Sequence, residues 1–330
     1  MNWSDLDWPA LDRLRQKFLH GGAAAGPYWE SSSDLASYDF TYGERIGWKW
    51  DHVLRELQLR GWRPGSRRIL DWGCGSGIAA RRVISFFGAE NFDSLTVWDH
   101  SPLACDFAAE TAQRAFPSLR VATATPSLLA SDEHIGLLLI SHVLNALAPD
   151  ALASLRTLIA RAEAVVWAEP GTRDVSRHLG ALRDELRESF RVIAPCTHEN
   201  ACPILAPGNE RHWCHFFAPP PPEIFADANW VKFGQRAGID LRSLPYCFVT
   251  LDRTHAAHGD GLSRVIGRAE HFKPYARVLN CDATGLAELE LPKRADPALF
   301  KQLERTKAPL IYRWQHDDKR IASGEPLATT

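Results

Sequence analysis

The sequence predicts an α/β protein with a parallel sheet, a cysteine-rich segment after the sheet, and a small β-rich C-terminal part. Short apolar runs alternate with stretches of helical periodicity over the first 190 or so residues, which is typical of a parallel sheet covered by helices. A glycine-rich loop joins the first of these runs to a helix. Three cysteines then fall within 19 positions, ahead of several strand-like segments.

Composition limits the class of protein. The chain has 330 residues, of which 45% are hydrophobic and 24% charged, so disorder, collagen and coiled coil are excluded. Its longest aliphatic run, residues 137–140, is far shorter than the roughly 20 residues of a membrane span, and no membrane partner is expected. The N-terminus carries Asp5, Asp7 and Asp12 and lacks an apolar signal core, so no secretion signal is expected.

Charge is balanced overall but uneven along the chain. Lys and Arg number 38 against 40 Asp and Glu, yet residues 229–330 hold 16 basic and 12 acidic side chains. A cluster of arginines surrounds the first predicted strand: Arg60, Arg63, Arg67, Arg68, Arg81 and Arg82. Such a patch can hold phosphates, although solvated faces are an equal alternative. The pI near 6.7 does not favour DNA, and no DNA partner is expected.

The glycine loop is the first chemical signal. An apolar run ends in Asp71, and Trp72-Gly73-Cys74-Gly75-Ser76-Gly77 leads into helical spacing from Ile78. Glycines let the backbone turn tightly and approach a ligand, because no Cβ blocks it. The pattern resembles motif I of class I S-adenosylmethionine (SAM) methyltransferases, which implies a Rossmann-like fold. By that resemblance Asp71, Gly73, Gly75 and Gly77 wrap the cofactor.

The neighbouring strands extend the same pattern. Asp99 ends the next apolar run, 28 residues after Asp71, and a carboxylate there is a good acceptor for two ribose hydroxyls. Residues 104–116 and 151–162 have helical spacing, whereas residues 135–140 and 164–168 form buried strands. Ligands of such sheets bind at the carboxyl ends of the strands. Ser141, at one of these ends, is therefore a further cofactor candidate, and Glu169 is a candidate support of the pocket.

The cysteines are the second signal. Seven cysteines in a chain without an expected leader favour a reducing compartment, where metal ligation outranks disulfides. Cys196, Cys202 and Cys214 follow the spacing Cys-x5-Cys-x11-Cys, and Cys281 or Cys247 could be a fourth ligand. Spacing alone leaves an iron–sulfur cluster and zinc equally open. Zinc would recruit one of His198, His212 and His215, and packed core thiols are a third interpretation.

The ordered set of motifs resembles a specific family, the mitochondrial small-ribosomal-subunit methyltransferase-like family and its bacterial relatives. The resemblance spans roughly residues 69–293 and is most specific in the Cys196–Cys202 block and in Trp213-Cys214-His215-Phe216. It implies a 4Fe-4S cluster on Cys196, Cys202, Cys214 and Cys281, with Cys247 in the core. It also implies a role in maturation of the small ribosomal subunit with contact to its rRNA, in the bacterial cytoplasm or the mitochondrial matrix.

Two functions follow from the resemblance. The first is a SAM-dependent RNA methyltransferase, to which the enzyme prediction leans, and the second is a non-catalytic assembly or RNA-binding factor that keeps the SAM fold. No Asn-Pro-Pro-Tyr tetrad is present, so the catalytic residues are unknown, and His142 is only a weak candidate base.

The predicted domains follow the same signals. They are an N-terminal helical extension (1–60), a SAM-binding Rossmann-like domain (61–193), a cysteine-rich cluster-binding loop (194–228) and a β-rich, mildly basic, RNA-contacting segment (229–330). Within that last segment, strands are predicted at residues 246–251, 276–281 and 286–291, with a small barrel or sheet as their product.

Overall fold

The computed structural model describes residues 1–19, 28–255, 261–305 and 309–328. These residues form two compact units. The first unit comprises Met1–Leu54, Arg63–Glu169 and Pro220–Leu244, and the second Arg55–Trp62, Pro170–Pro219 and Pro245–Thr330. None of the described helices combines the length and the apolar composition that a membrane crossing needs.

The first unit is built on a parallel sheet, as the sequence predicts. Its strands are β1 (Arg68–Trp72), β2 (Ser94–Trp98), β3 (Arg120–Thr123), β4 (Ile135–Ser141) and β5 (Ala162–Pro170). They lie in the order β3-β2-β1-β4-β5, and every neighbouring pair is parallel. The chain therefore leaves β1 toward one edge and later returns to the other side of β1. Such a reversal opens a crevice at the carboxyl ends of β1 and β4.

Helices cover this sheet. They are α1 (Trp8–Leu19), α2 (Ser32–Tyr38), α3 (Glu44–Leu59), α4 (Ile78–Phe87), α5 (Pro102–Ala115), α6 (Pro126–Ala130), α7 (Pro149–Arg161) and α9 (Ala228–Ala237), with α3 continuing into the second unit. Proline opens α5, α6 and α7, where its missing N–H is not needed. The helices before β1 share a core with α5, in which Leu14, Trp29 and Leu35 pack around Ala104.

After the end of α3, the second unit contains α8 (Arg173–Leu186), followed by β6 (Arg191–Ala194), β7 (Phe216–Ala218) and β8 (Leu244–Asp252). Strand β8 pairs antiparallel with β6 and also pairs with β7. Between β6 and β7 the chain forms irregular loops with one short turn of 3₁₀ helix, Pro203–Leu205. This connection carries Cys196, Cys202 and Cys214.

The C-terminal part of the second unit is a closed barrel. Its strands are β9 (Ser263–His271), β10 (Tyr275–Asp282), β11 (Gly285–Pro292), β12 (Ile311–Asp317) and β13 (Arg320–Pro326), and α10 (Pro297–Leu303) lies between β11 and β12. The closed order is β10-β11-β13-β12-β9. The barrel core includes Val278, Leu289 and Tyr312. No strand was predicted at the positions of β9, β12 and β13. Strands β12 and β13 have many exposed polar residues and only weak alternation of buried and exposed positions.

Candidate functional site

The glycine loop after β1 is fastened to the end of β2 by its backbone. The N–H groups of Gly73 and Cys74 both donate to the carbonyl of Trp98, at 2.8 and 2.9 Å. Gly75 has a φ of +51°, and a Cβ placed on it would meet no atom within 4 Å. The loop therefore presents bare backbone to open space at this position, as close contact with a ligand requires.

Asp99 lies beside this loop. Its Oδ2 accepts a hydrogen bond of 3.0 Å from Gly75 N, and its Oδ1 accepts one of 2.9 Å from Ser101 N. The thiol of Cys105 supports the same residue by accepting from Asp99 N at 3.1 Å. Burial raises the pKa of Asp99. Oδ1 also lies 3.3 Å from His100 Nδ1. Oδ2 retains a lone pair after its bond to Gly75 N, so the carboxylate can still accept from a ligand hydroxyl.

A cavity of about 330 Å³ opens in front of the loop and of Asp99, within the usual size range of small-molecule sites. Four of the residues predicted to bind the cofactor line it: Gly73, Gly75, Asp99 and Ser141. The remaining lining includes the rings of Trp72 and Trp98, which stack with centroids 4.9 Å apart, and the side chains of His100, His142 and Val143.

The other two predicted cofactor residues lie behind the lining. Asp71 is fully buried, and neither carboxylate oxygen has a hydrogen-bond partner among the residues described. Burial raises the pKa of Asp71 to about 7. Gly77 begins α4 with a φ of +75°, and a Cβ on it would come within 2.9 Å of the Ala108 Cβ. Both residues shape the loop, and their direct contact with a cofactor stays a prediction.

The loop after β4 forms another wall of the cavity. Trp50 Nε1 donates to Ser141 Oγ at 2.9 Å, which orients that hydroxyl. Glu169 Oε1 accepts from Val143 N and Leu144 N, both at 3.1 Å, and from Trp167 Nε1 at 2.7 Å. Burial raises the pKa of Glu169 to about 7. Glu169 thus supports the wall of the pocket, which is one of the roles the sequence suggested for it.

His142 is the weak candidate base from the sequence, and it lines this cavity. Its Nε2 lies 3.1 Å from Lys49 Nζ, and its Nδ1 lies 3.3 Å from Ser141 Oγ. Burial, and then the charges of Lys49 and Arg45, lower the pKa of His142 well below its ordinary value. The ring is therefore neutral near pH 7, with both nitrogens engaged.

Aromatic residues from the N-terminal segment form a further wall of the cavity. None of them was predicted as a site residue. Tyr28, Trp29 and Tyr38 all line it. Burial raises the pKa of Tyr28, and the nearby Tyr38 and Asp99 raise it further. The available signal was the density of aromatic residues just before β1: Tyr28, Trp29, Tyr38, Phe40, Tyr42, Trp48 and Trp50.

The four cysteines from remote stretches gather in the second unit. Cys202 and Cys214 pack against a buried cluster that contains Ile204, Ile266 and Cys281. Burial raises the pKa of Cys214 well above its ordinary value, and Cys196, Cys202 and Cys281 raise it further. Cys247, by contrast, is a buried residue of β8, and its Sγ donates to the carbonyl of Pro170 at 3.4 Å.

The structure does not itself support the metal predictions. Over residues 1–19, 28–255, 261–305 and 309–328, no three His, Cys, Asp or Glu side chains are arranged to hold a metal ion. Burial favours the neutral thiols, which pack as small apolar groups. Of the three histidines considered for zinc, His198 reaches the cysteines, with its Nε2 3.7 Å from Cys281 Sγ. His215 stacks on Trp213, and His212 Nε2 accepts from Arg211 Nε.

Buried arginines hold the backbone around these cysteines. Arg60 donates to the carbonyls of Ile193, Pro195 and Cys196 at 3.1, 2.7 and 3.0 Å, and it pairs with Glu56 at 2.9 Å. Arg183, 3% exposed, donates to the carbonyls of His198 and Asn200. Both guanidinium groups lie near Cys196. Their electrostatic interaction with this cysteine acts to raise the pKa of each arginine. Buried guanidinium groups, each paired with a carboxylate, therefore lie next to the cysteine loops.

Comparisons with solved structures return methyltransferases of several kinds. A putative RNA methyltransferase from Pyrococcus horikoshii is 10% identical, with a TM-score of 0.38, and the match covers 62% of this chain and 83% of that one. An rRNA methylase from Escherichia coli is 18% identical, with a TM-score of 0.35, and the match covers 55% and 75%. At such TM-scores these similarities do not by themselves establish a shared fold.

A third structure, the magnesium protoporphyrin IX methyltransferase of Synechocystis with bound SAM, is 13% identical, with a TM-score of 0.37 and coverage of 74% and 97%. No curated protein matches the chain. The family model described as mitochondrial small ribosomal subunit Rsm22 matches residues 51–220, which is more than half of the chain. This stretch contains the glycine loop, Asp99, Ser141 and three of the four clustered cysteines. The chain therefore belongs to the mitochondrial small ribosomal subunit Rsm22 family.

Proposed function

We propose that this protein is a SAM-dependent methyltransferase of the small-ribosomal-subunit type, which acts on rRNA or on a precursor ribosomal particle. The observation that carries the proposal is the position of Asp99, bonded to Gly75 N at the edge of a cavity of about 330 Å³. A carboxylate beside a bare glycine loop suits a ligand that combines a ribose diol with a polar chain. Membership of the Rsm22 family supports the ribosomal partner.

The residues present fit SAM. Asp99 would accept from the ribose hydroxyls, and the backbone at Gly73 and Gly75 would lie along the amino acid part of the cofactor. Ser141, oriented by Trp50, would contact the same ligand. Bound SAM supplies the methyl group, so the protein has mainly to place the acceptor in line and exclude water. The aromatic wall formed by Tyr28, Trp29 and Tyr38 supports the exclusion of water.

Replacing Asp99 tests the cofactor site. The Asp99→Asn variant keeps the size of the side chain but loses the charge, so its affinity for S-adenosylhomocysteine (SAH) should fall about tenfold or more, as measured by titration calorimetry. The matched control is Asp93→Asn, because Asp93 is exposed at the opposite end of β2 and pairs with Arg67 at 2.9 Å. Equal SAH affinity in the two variants would contradict the assignment of the pocket.

Methyl transfer tests the reaction. Radiolabelled SAM is incubated with small-subunit rRNA and with precursor particles, and incorporation into RNA is expected with the native protein and not with Asp99→Asn. A second candidate function is a non-catalytic assembly factor that keeps the SAM fold. The ring of His142 is neutral and both of its nitrogens are engaged, so it is not a strong base in this cavity. This observation favours the second function. Tight SAH binding without any incorporation would favour this second function.

The proposal includes a 4Fe-4S cluster bound by Cys196, Cys202, Cys214 and Cys281. The proposal is supported by four cysteine side chains that interact in one buried region and by the buried arginines near them, although the side chains are not arranged around a metal ion in this structure. Arg60, Arg183 and Arg264 would offset the negative charge of ligated thiolates. A single zinc ion is the alternative. Its ligand atoms would lie about 2.0–2.3 Å from the metal, so the cysteine sulfurs would have to lie close to one another.

Metal analysis separates these alternatives. Protein purified without oxygen should contain about four iron and four sulfide per chain and show a broad absorbance near the blue end of the visible spectrum. The Cys214→Ser variant should lose this absorbance, whereas Cys247→Ser, at a core cysteine outside the cluster, should keep its iron. One zinc per chain, or unchanged iron in Cys214→Ser, would overturn the cluster assignment.

A further inference from the structure

The connectivity of the C-terminal barrel is a specific one. Counted from β9, its first strand pairs with the second and fourth, and its third strand pairs with the second and, in parallel, with the fifth. A helix, α10, lies between the third and fourth strands. This is the arrangement of the OB fold. In OB folds, single-stranded nucleic acid binds on the face of strands two and three, between the loops 1–2 and 4–5.

One end of that face is covered within the second unit. Alternate residues of β10 and β11 point outward, and at one end Leu279, Cys281 and Leu286 pack against Ile204 of the cysteine-rich loop. Arg211 of the same loop reaches Glu288 at 3.0 Å. The cysteine-rich loop therefore occupies this end, and the end nearest the two ligand-binding loops is left.

A cavity of about 770 Å³ lies at this remaining end. Its lining comes from the β9–β10 loop, the end of β11 and the β12–β13 loop, and it includes Lys273, Tyr275, Lys293, Arg294 and Lys319. Both loops are fixed to β11. Lys293 N donates to Pro274 O at 2.9 Å, and Glu290 N donates to Lys319 O at 2.7 Å. We call this surface the barrel groove.

The barrel groove is positively charged. Its lining has five cationic and three acidic side chains. Of the acids, Glu290 already pairs with Arg277 at 3.4 Å. Lys273, Lys293, Arg294 and Lys319 are exposed, and no carboxylate within 4.0 Å pairs with them among the residues described. Cations without carboxylate partners at the mouth of a groove suit phosphates.

An aromatic surface lies beside these cations. The rings of Phe272 and Tyr275 stack at 4.7 Å with an interplanar angle of 22°, and Phe272 N donates to Tyr275 O across the hairpin. Phe272 is 40% exposed, although it is a large apolar side chain. The Arg277 guanidinium lies 5.2 Å from its ring. An exposed, pre-stacked ring next to cations is the combination that holds an unpaired base and its phosphate.

We propose that the barrel groove binds single-stranded RNA, with Lys293, Arg294 and Lys319 as phosphate contacts and with Phe272, beside the groove, as a stacking platform. This inference rests on the proposed function in taking RNA as the partner, and it adds the surface and the form of RNA that is recognised. A base can stack on the Phe272 ring only when it is not paired within a duplex, so we expect single strands to bind more tightly than duplexes.

Fluorescence anisotropy with the full chain and a labelled single-stranded RNA of about 12 nucleotides tests this site. Phe272→Ala should weaken binding about fivefold or more, whereas Phe272→Tyr, which keeps the stacking ring, should retain the native affinity. Thermal unfolding of both variants shows whether the barrel remains folded. Native affinity in a folded Phe272→Ala protein would overturn the stacking platform.

A charge-matched pair of variants tests the phosphate contacts. The triple change Lys293→Ala, Arg294→Ala and Lys319→Ala should reduce the slope of log affinity against log salt by about 2, since each lost phosphate contact on a single strand accounts for about 0.7. The control triple Lys301→Ala, Arg305→Ala and Arg313→Ala removes the same charge from exposed positions outside the groove. Equal losses in the two triples would show diffuse attraction and overturn the site.

Two further measurements test this inference independently of the proposed function. Tighter binding of duplex RNA than of the single strand would contradict the groove as a single-strand site. SAH affinity should be unchanged in all groove variants, because the cofactor cavity is formed by other residues. If groove variants keep full RNA affinity while Asp99→Asn loses SAH, the groove is wrong and the proposed function stands.

Discussion

At the scale of single residues, two glycines of the same loop have different roles. Gly75 faces open space, and Gly77 lies against Ala108, whose Cα would be 3.2 Å from an added Cβ. Both have positive φ, which disfavours any side chain by about 1–2 kcal/mol. The difference between the two positions is therefore steric, and it separates a ligand-facing glycine from a packing glycine.

We predict that alanine at these positions separates binding from stability. Gly75→Ala should lower the free energy of unfolding by about 1 kcal/mol but strongly weaken SAH binding, because its Cβ enters the space in front of the loop. Gly77→Ala should destabilise more, since α4 and α5 must also move apart. Urea unfolding and SAH titration measure both effects. Greater destabilisation by Gly75→Ala would contradict the geometry.

Asp71 makes the first unit sensitive to pH. Its pKa is about 7 in the fold against 3.8 for an ordinary aspartate, so the fold holds the proton more tightly than the unfolded chain does. The free energy of unfolding should therefore fall as pH rises from about 4 to about 7, by at most about 1.4 kcal/mol per pH unit across that range. Glu169, whose pKa is also about 7, acts in the same direction.

The Asp71→Asn variant tests this pH dependence. It cannot ionise, so the decline of stability between about pH 4 and about pH 7, in the absence of SAM, should become shallower than in the native protein. Urea unfolding at several pH values gives the slopes. Asp93→Asn, at an exposed carboxylate, should leave the native slope unchanged. A native slope in Asp71→Asn would show that the buried carboxyl is not responsible.

At the scale of elements, the cysteine-rich loops have little regular structure, and buried side chains replace it. Arg60, directly after α3, donates to three backbone carbonyls at the start of these loops and pairs with Glu56. Arg264 donates to both carboxylate oxygens of Glu56, each at 2.6 Å. Arg177 donates to the carbonyls of Ile204, Asn209 and His212. Backbone carbonyls in and beside these loops are thus bonded to guanidinium groups.

Replacing Arg60 should accordingly be costly. Arg60→Leu leaves three carbonyls and part of the Glu56 charge without their buried partner, and the free energy of unfolding should fall by about 3–5 kcal/mol. Arg63→Leu, three residues later and exposed, is the control and should change it by less than about 0.5 kcal/mol. Urea unfolding compares the two. Similar losses in both would mean that the loops do not depend on this arginine.

At the scale of the whole molecule, the proposed ligands are divided between the two compact units. The residues that line the cofactor cavity all lie in the first unit, and the four cysteines and the barrel all lie in the second. A ligand stabilises the structure that it binds, by about 2.7 kcal/mol at about 100 times its dissociation constant.

Hydrogen exchange should therefore distinguish the units. SAH at that concentration is expected to slow exchange in residues 73–77 and 141–144 by up to about a hundredfold, with little change in the barrel strands. Mass spectrometry of peptic fragments measures this, and Asp99→Asn is the control that should show no SAH effect. Equal protection of the barrel would contradict a cofactor site confined to the first unit.

Local sequence patterns were sufficient to predict the parallel sheet, the glycine loop and Asp99 at the end of β2. They left Cys281 and Cys247 as alternatives for the fourth cysteine, and the family resemblance favoured Cys281. Apolar runs, glycine spacing and flanking residues act over a few positions, so they can be recognised without the fold. The contacts of the folded chain were needed to show that Tyr28, Trp29 and Tyr38 wall the cavity, that Glu169 supports the loop after β4, and that five strands close into a barrel. Those outcomes depend on which remote surfaces pack together. The free energy of packing is shared among residues far apart in the chain, and no local pattern records it.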